Sequence, residues 1–181
     1  MDVTFQFDWH AAISSIPYLL TGIPYTLLIS FGGLAIGFLI GILFGLLRIS
    51  PVAWLRIPAI AYIEIFRGTS LLVQLFWLYF ALPVAGQAIG IDLRLPPVAA
   101  GVLALSLNIG AYGAEVVRGA IQSVSKDQYE AARALNFTPR KTLWRVALPQ
   151  AIPEMMPPFG NLAIQNLKDT ALVSLISLSD L

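Results

Sequence analysis

Long uncharged runs set the pattern of this chain. No Asp, Glu, Lys or Arg occurs from Trp9 to Leu47, from Gly68 to Ile91, or from Leu95 to Ala114. A helix needs about 20 mainly apolar residues to cross the hydrocarbon core of a bilayer, and each run reaches that length. The pattern predicts an all-α, multi-pass membrane protein forming one transmembrane domain over residues 1–181. At least four transmembrane helices are expected, at about residues 22–47, 59–82, 97–117 and 153–175. Residues 11–21 are expected to form a separate interfacial helix, because one helix over 11–47 would overshoot the bilayer. The stretch 175–181 has no basic stop, polar tail or capping signal, which predicts a fifth span beyond residue 181.

Composition agrees and removes several classes of function. The chain is 57% hydrophobic and 12% charged, where soluble domains carry roughly 25% charged residues; too little polar surface is left to cover a soluble particle. The net charge of +1 sits in short loops rather than along one face, so no nucleic-acid partner is implied. With no cysteine and a single histidine, His10, disulfide and thiolate chemistry are excluded and no metal site is expected. Met1-Asp2 opens a terminus with no basic n-region, so the first apolar helix is expected to act as its own insertion signal.

The basic residues set the expected orientation. Arg48 and Arg56 flank the first turn, and Arg118, Lys126, Arg133, Arg140, Lys141 and Arg145 lie between the third and fourth spans. The loop between the second and third spans carries only Arg94 against Asp92. The basic loops are expected in the cytoplasm, with the N-terminus outside.

Inside the first span, Gly33, Gly37, Gly41 and Gly45 recur every fourth residue, a stripe that lets another backbone approach closely. A second pattern occurs twice, as Glu64-Ile65-Phe66-Arg67-Gly68 and Glu115-Val116-Val117-Arg118-Gly119. Glu and Arg three apart share a helix face and can pair. Each set reads either as structural ion pairs locking helix ends or as an inner gate.

The segment between the third and fourth spans predicts two short helices joined by a tight turn. Ser125 with Gln128 three residues on reads as an N-cap, and Asn136 suits the left-handed conformation that ends a helix. Thr138-Pro139 restarts one, and Leu148-Pro149 is expected to end it. Ala131, Ala132, Leu135, Phe137, Leu143, Trp144 and Val146 lend this elbow much apolar surface. Spacing alone leaves two readings open: insertion into a partner's groove, or a helix pair lying on lipid headgroups.

The elbow resembles the EAA loop of ABC importer permeases. That loop reads Glu-Ala-Ala, three residues, glycine, nine residues, then aliphatic-x-Leu-Pro. Here the positions hold Glu130-Ala131-Ala132, Asn136 and Val146-Ala147-Leu148-Pro149, with asparagine in place of the glycine. The resemblance extends toward the polar amino acid uptake branch (His/Glu/Gln/Arg/opine-type permeases) through Ile65-Phe66-Arg67-Gly68-Thr69-Ser70-Leu71-Leu72-Val73-Gln74-Leu75, Ser106-Leu107-Asn108-Ile109-Gly110-Ala111-Tyr112 and Leu167-Lys168-Asp169-Thr170-Ala171-Leu172-Val173-Ser174. It implies a MetI-like ABC permease architecture in the bacterial inner membrane, with a cytoplasmic coupling helix pair over about residues 125–149. It implies ATPase coupling by Glu130, Ala131, Ala132, Leu135, Asn136, Phe137, Leu148 and Pro149. The implied partners are ABC ATPase subunits, a second permease copy or paralogue, an extracytoplasmic solute-binding protein and membrane lipid. No G-x-x-x-x-G-K-[ST] phosphate loop occurs, so no catalytic residue and no cofactor are assigned to this chain; ATP and Mg belong on the partner ATPase.

Lys168 and Asp169 interrupt the fourth span, with Asn161, Gln165 and Asn166 upstream. Charge at that depth marks a functional site or a buried pair, and both readings stand. A zwitterion needs an acidic partner and a basic or amide one. Asp169 is expected to face the substrate ammonium, with Lys168, Asn108 or Gln74 toward the carboxylate and Gln165 beside them. Adjacent helical residues point about 100° apart, so only one of Lys168 and Asp169 should face the substrate. Met155, Met156, Pro157 and Pro158 are expected to interrupt helicity, as a hinge or merely a span start. The competing functions are an ion-coupled secondary amino acid transporter, a membrane enzyme and a channel.

Overall fold

The computed structural model describes residues 16–177, and every regular element among them is helical. Helix α1, Ile16–Arg48, takes in the first predicted span without a break. A separate interfacial helix is therefore not found where it can be checked: residues 16–21 continue the span's own helix, and residues 11–15 lie outside the described residues. Thirty-three residues make α1 about 50 Å long, more than the hydrocarbon core is thick, so it tilts or projects beyond it.

The second predicted span, at 59–82, is replaced by two helices. Helix α2, Ala53–Gly68, stops where Thr69 and Ser70 take extended backbone angles. Helix α3, Leu71–Phe76, then starts with the Ser70 hydroxyl accepting from the Val73 N–H. It continues through a π turn, Trp77–Ala81, into α4, Leu82–Ala88. Stretches Leu20–Arg48, Leu71–Ala88 and Pro97–Ser123 are long and apolar enough to cross a membrane. Helix α5, Pro97–Ser123, runs past its expected end at 117.

Beyond α5 come α6, Lys126–Ala134, and α7, Pro139–Thr142, then a second π turn, Leu143–Ala147, and α8, Leu148–Ser177. The expectation that Leu148-Pro149 ends a helix is corrected, as is the expectation that the later prolines break one. The chain stays helical through Pro149, and α8 holds Pro153, Pro157 and Pro158 inside it. Both π turns lead directly into Leu-Pro, at Leu82-Pro83 and Leu148-Pro149. A proline cannot donate to the carbonyl four residues back and its ring collides with it. In each case the leucine before it donates one residue further back, to Trp77 or Leu143, and the widened turn takes up the collision. The fourth predicted span falls within α8, which at thirty residues is long enough to cross but carries Glu154, Lys168 and Asp169 and stands apart from the three apolar stretches.

The glycine stripe is where α1 meets α5. A Cβ added at Gly33 would lie 3.0 Å from Leu105 Cβ, at Gly37 2.9 Å from Ile109 Cβ, at Gly41 3.2 Å from Gly113 Cα, and at Gly45 2.7 Å from Val117 Cβ. Both series advance by four in the same direction, so α1 and α5 pack as a parallel pair with their C-terminal ends together. Helix α8 packs on another side of α5. Two apolar clusters result. One gathers Leu75, Ala104, Leu105, Val173 and Ile176; the other gathers Val117, Ile121, Val124, Ala147, Ala151 and Met155 near the elbow.

Polar contacts lie between them. Asn166 is 1% exposed and its Nδ2 donates to the Ser30 carbonyl at 2.8 Å. The Tyr62 hydroxyl donates to the Leu107 carbonyl at 2.6 Å.

Because Gly45 faces both a side chain and the Ala114 carbonyl at 2.9 Å, Gly45→Ala should destabilise by about 1–3 kcal/mol through overpacking. Gly22→Ala, with nothing within 4 Å, should be neutral or slightly stabilising. Thermal unfolding of the two purified variants checks the contrast.

Candidate functional site

The break between α2 and α3 opens a polar cavity. It has a volume of about 380 Å³ and is walled by Thr69 and Ser70 of the break, Asn108 and Tyr112 of α5, and Gln165 and Asp169 of α8. This lies within the range of about 300–1,000 Å³ found for small-molecule sites. A larger cavity of about 670 Å³, against Phe38, Trp144 and Phe159, is lined by apolar side chains alone and offers nothing to orient a polar solute.

The break itself is held by Gln74. Its Nε2 donates to the Phe66 carbonyl at 2.7 Å, the Thr69 carbonyl at 3.1 Å and Thr69 Oγ1 at 2.9 Å. These carbonyls lost their helical partners when α2 ended. Gln74 Oε1 in turn accepts from Asn108 Nδ2 at 3.2 Å. Gln74, expected toward a substrate carboxylate, is 6% exposed, does not line the cavity, and has its amide engaged at the break. Lys168 is likewise displaced from the expected site. It is exposed on a different face of α8 and does not line the cavity. Asp169 does line it, and accepts from Gln165 Nε2 at 2.9 Å.

Of the five residues proposed for substrate, the structure brings together Asn108, Gln165 and Asp169. It adds Thr69, Ser70, Tyr112 and Asn166, which the sequence reading did not select. Asn166 Oδ1 is buried and accepts no hydrogen bond among the described residues.

Next to the cavity the repeated Glu-x-x-Arg-Gly elements join one charged hub. Glu115 is its centre. It accepts from Arg118 at 2.8 and 3.1 Å, pairs with Arg48, and lies 3.8 Å from Arg67. Expected pairing within each element holds for Glu115 and Arg118 only. Glu64 pairs with Arg48 at 3.3 Å instead of with Arg67, because the parallel packing of α1 on α5 carries Arg48 between the two acids. Arg48 was read from sequence only as an orientation marker. The glycine stripe brings the end of α1 beside the end of α5, and the Arg48 side chain reaches back from there to Glu115. Arg67 also lies over the Tyr112 ring, 5.5 Å from its centroid, so the hub touches a residue of the cavity wall.

The elbow forms as two short helices around a turn. Asn136 has φ of 55°. The Phe137 N–H donates to the Ala132 carbonyl at 3.0 Å and the Asn136 N–H to the Arg133 carbonyl at 2.9 Å, the pair of bonds that closes a helix on a left-handed residue. Asparagine therefore serves where a glycine otherwise would. Thr138 caps α7 through a bond from the Lys141 N–H. Ser125 precedes α6 as expected, but its side chain makes no cap bond; Gln128 Oε1 accepts from Gln150 Nε2 of α8 instead.

The elbow is anchored from below by Tyr129, whose hydroxyl donates to the Ile121 carbonyl at 3.0 Å, and by buried Ala132 and Ala147. Phe137, Leu143, Val146 and Leu148 are half-buried and do not add to a free knob. Glu130, Ala131, Leu135, Asn136 and Pro149 are exposed, with Leu135 at 69% and Trp144 at 57%.

Residues 37–181 match the family model for the binding-protein-dependent transport system inner membrane component. A "Probable amino-acid ABC transporter permease protein y4tF" of Sinorhizobium fredii is 62% identical over 96% of this chain and 72% of its own length. The glutamine transport system permease protein GlnP of Escherichia coli is 42% identical over 97% of this chain and 78% of its own length. Among solved structures, an amino acid ABC transporter crystallised with histidines matches with a TM-score of 0.85 at 37% identity, covering 96% of this chain and 78% of that one. The chain belongs to this family of inner-membrane transport components.

Membership makes it a permease subunit of an ABC transporter and favours that reading over an ion-coupled secondary transporter. Within the permease, the hub and the cavity occupy consecutive levels along α5, from Asn108 and Tyr112 to Glu115 and Arg118. Glu115, with its side chain 16% exposed, faces three arginines, whereas Glu64 is 61% exposed. Removing one partner of a buried pair costs roughly 3–5 kcal/mol, against about 0–1 kcal/mol at an exposed one. Glu115→Gln should therefore lower thermal stability by several times the effect of Glu64→Gln, as read by melting of the purified permease.

Proposed function

We propose that this permease lines the path by which an amino acid or related zwitterion crosses the bacterial inner membrane, driven by ATP hydrolysis on separate ATPase subunits. A second copy or paralogue completes the path, and an extracytoplasmic solute-binding protein delivers the solute. The N-terminus lies outside, which puts the elbow and its basic residues in the cytoplasm. ATP and Mg²⁺ reside on the ATPase, since this chain carries no phosphate-binding loop. The amino acid class is supported by the names of the relatives and by the composition of the cavity wall.

One observation carries the coupling role. The elbow is rigidly terminated at Asn136, anchored through Tyr129 and Ala132, and yet presents Leu135 outward at 69% exposure. A large apolar side chain on a fixed turn is what a groove in a partner accepts. Leu135→Glu leaves the permease's internal packing untouched. It should abolish co-purification with the ATPase subunits and reduce ATP-dependent uptake to background. Retained association would remove the elbow from this role.

In the cavity, Asp169 supplies the anion for the solute's ammonium. Asn108, Gln165 and the hydroxyl of Ser70 supply donors for the carboxylate end. A charge-assisted hydrogen bond is worth about 1.5–3 kcal/mol, so Asp169→Asn should reduce uptake by the reconstituted complex roughly 10- to 100-fold with ATPase association intact. Unchanged uptake and solute affinity would exclude Asp169 from the path.

A further inference from the structure

A third cavity, of about 970 Å³, lies under the elbow, between the α1–α2 turn, the end of α5 and α6–α7. Its floor is apolar, formed by Leu46, Ile49, Ile121 and Val124, and its rim carries Lys126, Arg133 and Arg140. None of these three cations forms an ion pair among the described residues, and no Asp or Glu lines the cavity.

The other polar side chains around it are engaged internally. Ser50 Oγ accepts from the Val52 N–H, Gln122 Oε1 from Arg118, and Thr138 Oγ1 from the Lys141 N–H; the hydroxyls of Tyr129 and Thr142 donate to the carbonyls of Ile121 and Thr138. The charge lining the cavity is therefore cationic alone, set over a greasy floor.

Position narrows the ligand further. The cavity lies where two stretches long and apolar enough to cross a membrane, Leu20–Arg48 and Pro97–Ser123, both end, which sets it toward one membrane boundary. We propose that it holds an anionic phospholipid, with the phosphate among Lys126, Arg133 and Arg140 and an acyl chain along Leu46, Ile49 and Ile121. Basic pockets between spanning helices are recognised by such headgroups. A free phosphate satisfies the rim but leaves the floor bare. A neutral lipid fills the floor but leaves three cations unmatched. The bound lipid would tie the elbow to the α1–α2 turn, making the stiffness of the coupling unit depend on the surrounding membrane. This proposal does not rest on the solute assignment.

The test uses the permease purified in complex with its ATPase subunits, titrated in detergent with dioleoyl phosphatidylglycerol or dioleoyl phosphatidylcholine, with bound lipid counted by native mass spectrometry. Phosphatidylglycerol should bind at one site per permease and in preference to phosphatidylcholine. Each basic residue near an anionic lipid contributes roughly fivefold. The triple variant K126Q/R133Q/R140Q should therefore weaken phosphatidylglycerol binding about a hundredfold.

The control K141Q/R145Q/R56Q removes the same charge outside the cavity and should change binding less than threefold. An equal loss in both variants would replace the site with diffuse attraction, and overturn the proposal. Ile49→Trp keeps every cation while filling the floor, and should also displace the lipid; unchanged binding there overturns the acyl seat. Displacement of the lipid by millimolar glycerol 1-phosphate would assign the cavity to a soluble anion instead. Phosphatidylglycerol that fails to bind the intact complex would overturn the proposal.

Discussion

Helices α1 and α5 lie so close that a Cβ on Gly41 would sit 3.2 Å from the Gly113 backbone. Lipid supplies no hydrophobic drive for two helices to associate, so contact at this distance rests on van der Waals packing along the whole seam. Four glycines in register on α1 meet Leu105, Ile109, Gly113 and Val117 on α5, and this fixes rotation and sliding together. Turning α1 away from this stripe would put side chains where only hydrogens fit. Other features follow from that register. It places Arg48 against Glu115 and gathers the hub. It sets Ser30 against Asn166 of α8, which in turn places the face of α8 bearing Gln165 and Asp169 toward the break between α2 and α3.

Much of this was legible in the residues. The glycine stripe announced a close seam, the uncharged runs announced spans, and Asn136 announced a left-handed turn. The second span was not legible, because Gly68-Thr69-Ser70 is as uncharged as its surroundings and hydropathy cannot see a break that a side chain repairs. Gln74 makes that repair from within the next helix, and only the folded chain shows that its amide is committed there. The prolines misled for a related reason. A Leu-Pro step reads as a helix end, yet a π turn just before it lets the helix continue at both Leu82-Pro83 and Leu148-Pro149.

The candidate site was half legible. Asp169, Gln165 and Asn108 stood out as polar residues in apolar helices, whereas Thr69, Ser70 and Tyr112 looked like ordinary boundary residues. Lys168 and Asp169 were separable in principle by their difference of about 100° around the helix. Which of them faced inward depended on the rotation of α8. That rotation is set by Asn166 bonding to Ser30 across 136 residues of sequence, a contact with no local signature.

The two limbs of the elbow join the two helices that wall the cavity. Helix α6 follows α5 after only Val124-Ser125, and α7 passes through the π turn directly into α8. A force on the elbow is therefore delivered to α5 and α8 at once, and the separation of those helices is the width of the cavity. From Pro149 to Asp169 the helix is about 30 Å long, so a small tilt at the elbow becomes a larger displacement at the carboxylate. The π turn at Leu143–Ala147 and the prolines Pro153, Pro157 and Pro158 interrupt the regular backbone bonding of that lever. Between elbow and cavity, the hub joins α5 to the ends of α1 and α2 through Glu115. Widening the cavity by moving α5 must strain or exchange those ion pairs, with Arg67 set between Glu115 and the Tyr112 ring. The hub and the elbow are thus both built onto α5, one through Glu115 and Arg118 and the other through Val124-Ser125.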